Sequence, residues 1–234
     1  MSYYYPFKGF FSFGIYNITI HFKSMVLTMS SENEVRVWDP LVRLFHWVLV
    51  AAFTIAYVTE DEWQDIHVWA GYLIAGLLVF RLLWGFIGPK HARFSDFVFS
   101  SATIIAYLKN MLALRARRYL GHNPAGGAMV MALLLSLAAT TLSGMQVYAV
   151  KENAGPFASV ELNNLSPIAR AYADDEHEGE GHKEEGVWED IHEFFANFTL
   201  LLIVLHISGV VISSLAHNEN LPRAMVTGNK RREE

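Results

Sequence analysis

Two histidines, His192 and His206, lie fourteen residues apart in a stretch that has almost no other ionisable side chains. From Phe194 to Ala216 the chain has no Asp, Glu, Lys or Arg, which is long enough for a helix that crosses a bilayer. At ~100° per residue, fourteen steps end ~40° from their start, so both imidazoles lie on one helix face. They are ~21 Å apart along the axis. This spacing suits two metal centres stacked across a membrane.

Three further apolar stretches accompany this one, and two of them carry a histidine. The first span, 41–59, follows Asp39, which can cap a helix, and holds His46. The second, 66–88, has His67 at its start. The third, 128–150, has no charge, and the fourth is 188–217. The chain is 53% hydrophobic and 18% charged, below the quarter or so that is typical of soluble domains. The sequence therefore predicts an all-α membrane protein, a four-helix transmembrane bundle.

The distribution of charge predicts how this bundle is oriented. The connection 89–125 has one acid and six bases, and the tail after 217 is also basic, whereas 151–187 carries nine acids and three bases. Positive loops stay in the cytoplasm, so both ends of the bundle are expected inside. Within the basic connection, 100–118 is typical of an amphipathic helix on the membrane surface. The six bases are Lys90, Arg93, Lys109, Arg115, Arg117 and Arg118.

This orientation sorts the four membrane histidines into two pairs of equal depth. His46 and His206 lie towards the inner side, and His67 and His192 towards the outer side. Two histidines at one depth on neighbouring helices can form a bis-imidazole haem site. A single histidine in a span is often only a hydrogen-bonded packing residue, but spacing, shared face and paired depth together favour iron ligands. Zinc fits less well, because its ligands cluster in threes or fours. The absence of cysteine excludes thiolate metal sites.

Other residues near these pairs have two interpretations each, and the sequence leaves them open. Arg43 and Arg81 could pair with haem propionates or could extend to the membrane edge. Gly71 and Gly76 could let helix two approach a porphyrin face or could permit close helix packing. His122, in a Gly-His-Asn-Pro turn, could serve a quinone site, but a residue of a helix-entry turn is the simpler interpretation.

Several segments resemble the bacterial cytochrome b561 family, which includes the cytochrome b subunits of membrane-bound nickel–iron hydrogenases. They are DPLVRLFHW, IHVWAGYLIAGLLVFRLLWGFIGP, RYLGHNP, and HEFFANFTLLLIVLH with ENLPRAMVTGNKR. The resemblance covers about 34–232. It implies a four-helix bundle that carries two b haems and passes electrons between a quinone and a partner. The family's haem ligands fall on His46, His67, His192 and His206.

The resemblance and the residues together support one main function. We expect a di-haem b-type cytochrome of the bacterial inner membrane that is a subunit of, or partner to, a respiratory oxidoreductase. The redox partner would be a hydrogenase or a c-type cytochrome. One alternative is a self-standing superoxide:quinone oxidoreductase, and another is a haem-free membrane anchor or transporter. No nucleic-acid signature is present, and a homodimer is left open.

The first residues and the acidic connection carry two further expectations. Residues 1–33 are aromatic and aperiodic and are expected to form an extension, with the cytochrome domain at 34–234. Met29 to Glu32 resembles an ordinary bacterial start, although a short interfacial segment is the alternative. The acidic connection 151–187 is expected to face a basic soluble partner outside, with the quinone site inside.

Overall fold

The computed structural model describes residues 34–60, 62–113, 115–158 and 180–232, with the side chains of 180–185 excepted. The expectations for residues 1–33 and for the acidic cluster 174–179 lie outside this part of the chain. The described elements, in chain order, are β1 (Glu34–Arg36), α1 (Pro40–Val58), α2 (Gln64–Ile87), a 3-10 turn (Lys90–Ala92), α3 (Phe94–Phe97), α4 (Ser101–Leu112), α5 (Pro124–Glu152), α6 (Glu180–Ala216), α7 (Leu221–Thr227) and β2 (Asn229–Arg231).

Four of these helices are long and apolar enough to cross a membrane, which confirms the predicted all-α bundle. They are α1, α2, α5 and the part of α6 from Gly186 to Ala216. Large apolar side chains stand exposed along them, as Phe86 and Leu215 do with 74% of their surface accessible. Such surfaces are those that lipid covers.

The chain starts two of the spans in the same way, with a capping side chain followed by proline. Asp39 Oδ1 accepts hydrogen bonds from the backbone nitrogens of Leu41 (2.8 Å) and Val42 (3.3 Å), as the sequence predicts for α1. Asn123 Oδ1 accepts from the nitrogen of Gly126 at 2.7 Å at the start of α5. Proline suits the first turn, because its missing N–H would have no partner there.

The spans pack as two pairs, α1 along α2 and α5 along α6, and α2 joins the pairs through α5. A buried apolar cluster lies where α1, α2 and α5 meet. Because lipid is as apolar as a leucine side chain, small residues and polar contacts decide how such helices associate. The cluster consists of Phe45, Ala52, Ile74, Leu78, Leu134 and Leu137.

Two predicted boundaries differ from the structure. The surface helix ends at Leu112, whereas the prediction carried it to 118. Beyond the helix the chain reaches Arg118, which forms an ion pair with Glu219. The fourth span begins within a longer helix that starts at Glu180, inside the predicted acidic connection. Glu and Lys are strong helix formers, so this acidic stretch continues the span.

The two ends of the described chain meet on one side of the bundle, which we call the inner end. β1 pairs with β2 in antiparallel register, with Glu34 opposite Arg231. Beside this sheet the nearly buried Lys230 bonds Glu219 Oε2 at 3.2 Å and the carbonyl oxygen of Tyr119 at 3.0 Å. Burial alone would raise the pKa of Glu219, but hydrogen bonds and charge from Arg118 and Lys230 lower it overall.

Candidate functional site

The outer pair of histidines comes together across the bundle. His67 lies in the first turn of α2 and His192 lies on α6, and their ring centres are 5.9 Å apart with planes at 83°. Metal–imidazole nitrogen bonds are about 2.0–2.1 Å, so two imidazoles on opposite sides of one metal place their ring centres roughly 6 Å apart. The observed spacing matches that requirement.

Both outer histidines are oriented by backbone carbonyl groups of a neighbouring helix. His67 Nδ1 lies 2.8 Å from the carbonyl oxygen of Ala56 on α1. His192 Nδ1 lies 2.9 Å from the carbonyl oxygen of Thr140 on α5. A carbonyl only accepts, so Nδ1 carries the proton and donates in each case. In a neutral ring with this tautomer Nε2 is the nitrogen left to bind a metal, as is usual for metal-binding histidines.

A partly open cavity lies beside this pair, and both histidines line it. Gly71 lines it, and a Cβ built there would have no atom within 4 Å. The same holds for Gly76. Close helix packing, one of the two interpretations of these glycines, is therefore not what the structure has at either position. The cavity wall includes Phe53, Tyr57, Tyr72, Leu137 and Tyr148.

Sequence reasoning missed a glycine that the outer pair requires. A Cβ at Gly144 of α5 would lie 2.7 Å from Cε1 of His192, well inside van der Waals contact. Gly144 therefore lets the imidazole lie flat against α5 and reach the Thr140 carbonyl. The only indication of this role of Gly144 in the sequence is weak: Gly144 and Thr140 are one helical turn apart.

The inner pair consists of His46 on α1 and His206 on α6, which lie close enough for a charge on one to act on the other. Its surroundings differ from those of the outer pair. His46 Nδ1 is enclosed and has no hydrogen-bond partner among the described residues. Its ring meets Trp47 edge-on, with centres 5.0 Å apart. No carbonyl group orients it as Ala56 and Thr140 orient the outer rings.

Two arginines supply positive charge at the inner end. Arg81 is only 3% exposed, so it does not extend to the membrane edge. Its guanidinium lies over the rings of Phe94 (5.1 Å) and Phe97 (5.7 Å), and its Nη1 has no partner within the described chain. Arg43 donates through Nη1 to the carbonyl of Val226, while its Nε is enclosed and unbonded among the described residues. Enclosed, unpaired donors of this kind suit a carboxylate from a bound molecule.

His122 belongs to the same inner cluster. Its ring packs on Phe97, with centres 4.5 Å apart, and edge-on against Trp38 at 4.7 Å. Burial, followed by the nearby charges of Arg81 and Lys230, lowers the pKa of His122 to about 3. The ring is therefore neutral at physiological pH. Its neighbour Asn123 caps α5, so this turn does start a helix, as the simpler interpretation held.

The two sites suit a particular kind of cofactor. Among the described residues no group of three or more His, Cys, Asp or Glu could hold a bare metal ion. A metal that already has four ligands of its own, such as haem iron, needs only two imidazoles. The slot between His67 and His192 and the unpaired arginine nitrogens fit such a group and its carboxylates. A membrane-spanning helical bundle with this arrangement defines the class of b-type cytochromes.

Comparison with known proteins assigns the family. Residues 37–228 match the model for prokaryotic cytochrome b561, and the chain belongs to that family. It is therefore a multi-pass bacterial membrane protein whose family binds haem b. The chain is also 24% identical over 223 residues to a probable Ni/Fe-hydrogenase B-type cytochrome subunit of Cupriavidus necator, covering 82% of this chain and 85% of that protein. No solved structure matches it.

Proposed function

We propose that this protein is a di-haem cytochrome b that moves electrons through the membrane between a redox partner and the quinone pool. The single observation that carries the proposal is the outer pair, with ring centres 5.9 Å apart and both Nδ1 atoms bonded to carbonyls. Such a pair presents two unprotonated Nε2 atoms to one slot. Family membership supplies the cofactor, haem b.

Each residue has a distinct role in this proposal. His67 and His192 hold the outer iron, and His46 and His206 hold the inner iron. Arg81 and Arg43 bind propionate groups at the inner end, where their unpaired nitrogens would otherwise remain buried without partners. Haem supplies reversible one-electron chemistry when bound. The protein holds the ring, tunes it and excludes water.

The number of haems is the direct test. A pyridine haemochrome assay on the purified chain should give about two non-covalent haems per polypeptide, because a bis-imidazole haem uses two histidines and four are paired. A ratio near one would mean that one of the pairs is only structural. A colourless preparation would contradict the proposal and favour a membrane anchor or transporter.

The similarity to a probable Ni/Fe-hydrogenase B-type cytochrome subunit supports a protein partner for electron exchange. We place that partner outside, where the acidic turn 60–65 and the connection 151–187 would attract a basic surface, and the quinone inside, near Arg81 and the turn at His122. Deleting 174–185 should slow electron exchange with the partner and leave quinone reactivity intact. An unchanged rate and salt dependence would show that the acidic cluster plays no part in docking.

The orientation has its own test. The pairing of β1 with β2 puts both ends of the described chain on one side, and the basic tail favours the cytoplasm. Reporter fusions at residues 105 and 230 should report a cytoplasmic position, and a fusion at 165 an external one. An external signal at 105 would exchange the outer and inner assignments.

A further inference from the structure

A cluster of three hydroxyl side chains lies between α5 and α6, halfway between the two histidine depths. Thr199 is seven residues from both His192 and His206, which is almost two helical turns, so all three share a face. Thr199 is fully buried and Ser136 is 4% exposed. Thr199 Oγ1 lies 2.7 Å from Ser136 Oγ and 3.3 Å from Thr140 Oγ1.

This cluster, Ser136, Thr140 and Thr199, satisfies its own hydrogen bonds. Thr140 donates its hydroxyl to the Ser136 carbonyl at 2.9 Å, and Thr199 has two hydroxyl oxygens within reach. A buried hydroxyl in hydrocarbon is costly when unpaired, so the cluster favours one register of α6 against α5. A single hydrogen bond between membrane helices contributes only modestly to stability. The effect of the cluster is therefore to select a position rather than to hold the bundle together.

The register of α6 against α5 that the cluster favours is also the register in which His192 is oriented by α5. The hydroxyl of Thr140 joins the cluster, and the carbonyl of the same residue accepts the proton of His192 Nδ1 at 2.9 Å. A slip of α6 along α5 would break both contacts together. The hydrogen bond at Nδ1 makes an imidazole a more basic ligand. A more basic ligand stabilises ferric iron over ferrous iron and lowers the reduction potential.

His46 of the inner pair lacks this influence. His46 Nδ1 has no partner among the described residues, and Arg81 and Arg43 place positive charge nearby, which favours the reduced state. We propose that the hydroxyl cluster is a positioning device that keeps the outer haem at a lower reduction potential than the inner haem. Thr199 acts through Thr140 and His192, so it is a positioning residue and not a ligand. This inference rests on the proposed function, because it needs a haem at each pair.

The test is a spectroscopic redox titration of the full-length protein in detergent, with Thr199→Val as the main variant. Valine keeps the shape of threonine and removes the hydroxyl. In the unmodified protein, the lower-potential component should be the one that disappears in His67→Ala and His192→Ala. Thr199→Val should raise the potential of that component alone, and Thr199→Ser should restore it. Thr54→Val is the matched control, because the Thr54 hydroxyl bonds only the Val50 carbonyl of its own helix.

Three results would overturn the inference: a lower-potential component that belongs to His46 and His206, no shift in Thr199→Val, or an equal shift of both components. If Thr199→Val does not accumulate, Ser136→Ala removes one of the two partners of Thr199 and should shift the same component in the same direction. If His192→Ala retains both haem components, the ligand assignment itself is wrong, whatever Thr199→Val does.

Discussion

The outer and inner sites have similar pairs of histidines, but different chemical groups surround the two pairs. Backbone carbonyls, a glycine and hydroxyl groups surround the outer pair, and the carbonyl bonds of 2.8 and 2.9 Å fix both rings. Arginines and aromatic rings surround the inner pair, and several of their nitrogens have no partner within the described chain. The outer site is therefore preorganised by the protein alone. The inner site has polar groups that are unpaired among the described residues and that a bound molecule could satisfy.

The largest expected effect is the loss of one haem when a ligand is removed. His67→Ala and His192→Ala should each abolish the same outer component, and His46→Ala and His206→Ala the same inner one. The haem content should fall from about two to about one per chain, because iron with one axial imidazole is held weakly. His217→Ala should keep both haems. Loss of different components in His46→Ala and His206→Ala would break the pairing.

Gly144→Val tests whether the outer site depends on its close contact with α5. Any Cβ at this position overlaps the His192 ring, so the ring must move away from the Thr140 carbonyl. We expect most of the outer component to be lost, with the inner component retained. Gly186→Ala on α6, where a Cβ has no neighbour within 4 Å, is the control. Equal loss of both haems would indicate general misfolding of the bundle.

Arg81→Leu tests the charged character of the inner site. It removes a buried cation, so the reduction potential of the inner component should fall while that of the outer component stays the same. Arg81→Lys should give a smaller fall, since lysine keeps the charge but not the planar fork of donors. A redox titration resolves the two cases. An unchanged inner potential in Arg81→Leu would mean that this arginine does not act on the haem.

The smallest effect concerns acid stability and His122. Because the folded-state pKa of His122 is lowered from 6.5 to about 3, the folded protein binds fewer protons there than the unfolded chain. Stability that is fully present above pH 6.5 is therefore lost as the pH falls from 6.5 towards 3. His122→Gln should flatten this part of the profile, measured as thermal loss of haem absorbance in detergent at pH 7 and pH 5. A profile with the same slope would exclude this contribution.

The parts that the sequence could predict depend on periodicity and charge. Four apolar stretches predicted the four spans, and Asp39 with Pro40 predicted the start of α1 to within a residue. The fourteen-residue spacing predicted the shared face of His192 and His206. These features are local, so the order of residues along one helix is enough to reveal them.

The parts that the sequence could not predict depend on contacts between helices. Ala56 and Thr140 contact the histidines through backbone carbonyls, which the residue type does not reveal. Gly144 is one glycine among 16. The burial of Arg81 follows from α3 and its phenylalanines, which fold back over it. Thr199 was within reach of sequence reasoning, because it marks the midpoint between two histidines already singled out.

The pairing of β1 with β2 has a consequence for the order in which the protein is assembled during synthesis. All the described helices of the outer site precede residue 217, so they are synthesised before β2. The inner end also needs Val226, which receives the hydrogen bond of Arg43, and residues 229–231, which pair with the segment before α1. The inner end is therefore completed only after residues 226–231 have left the ribosome, later in synthesis than the helices of the outer pair.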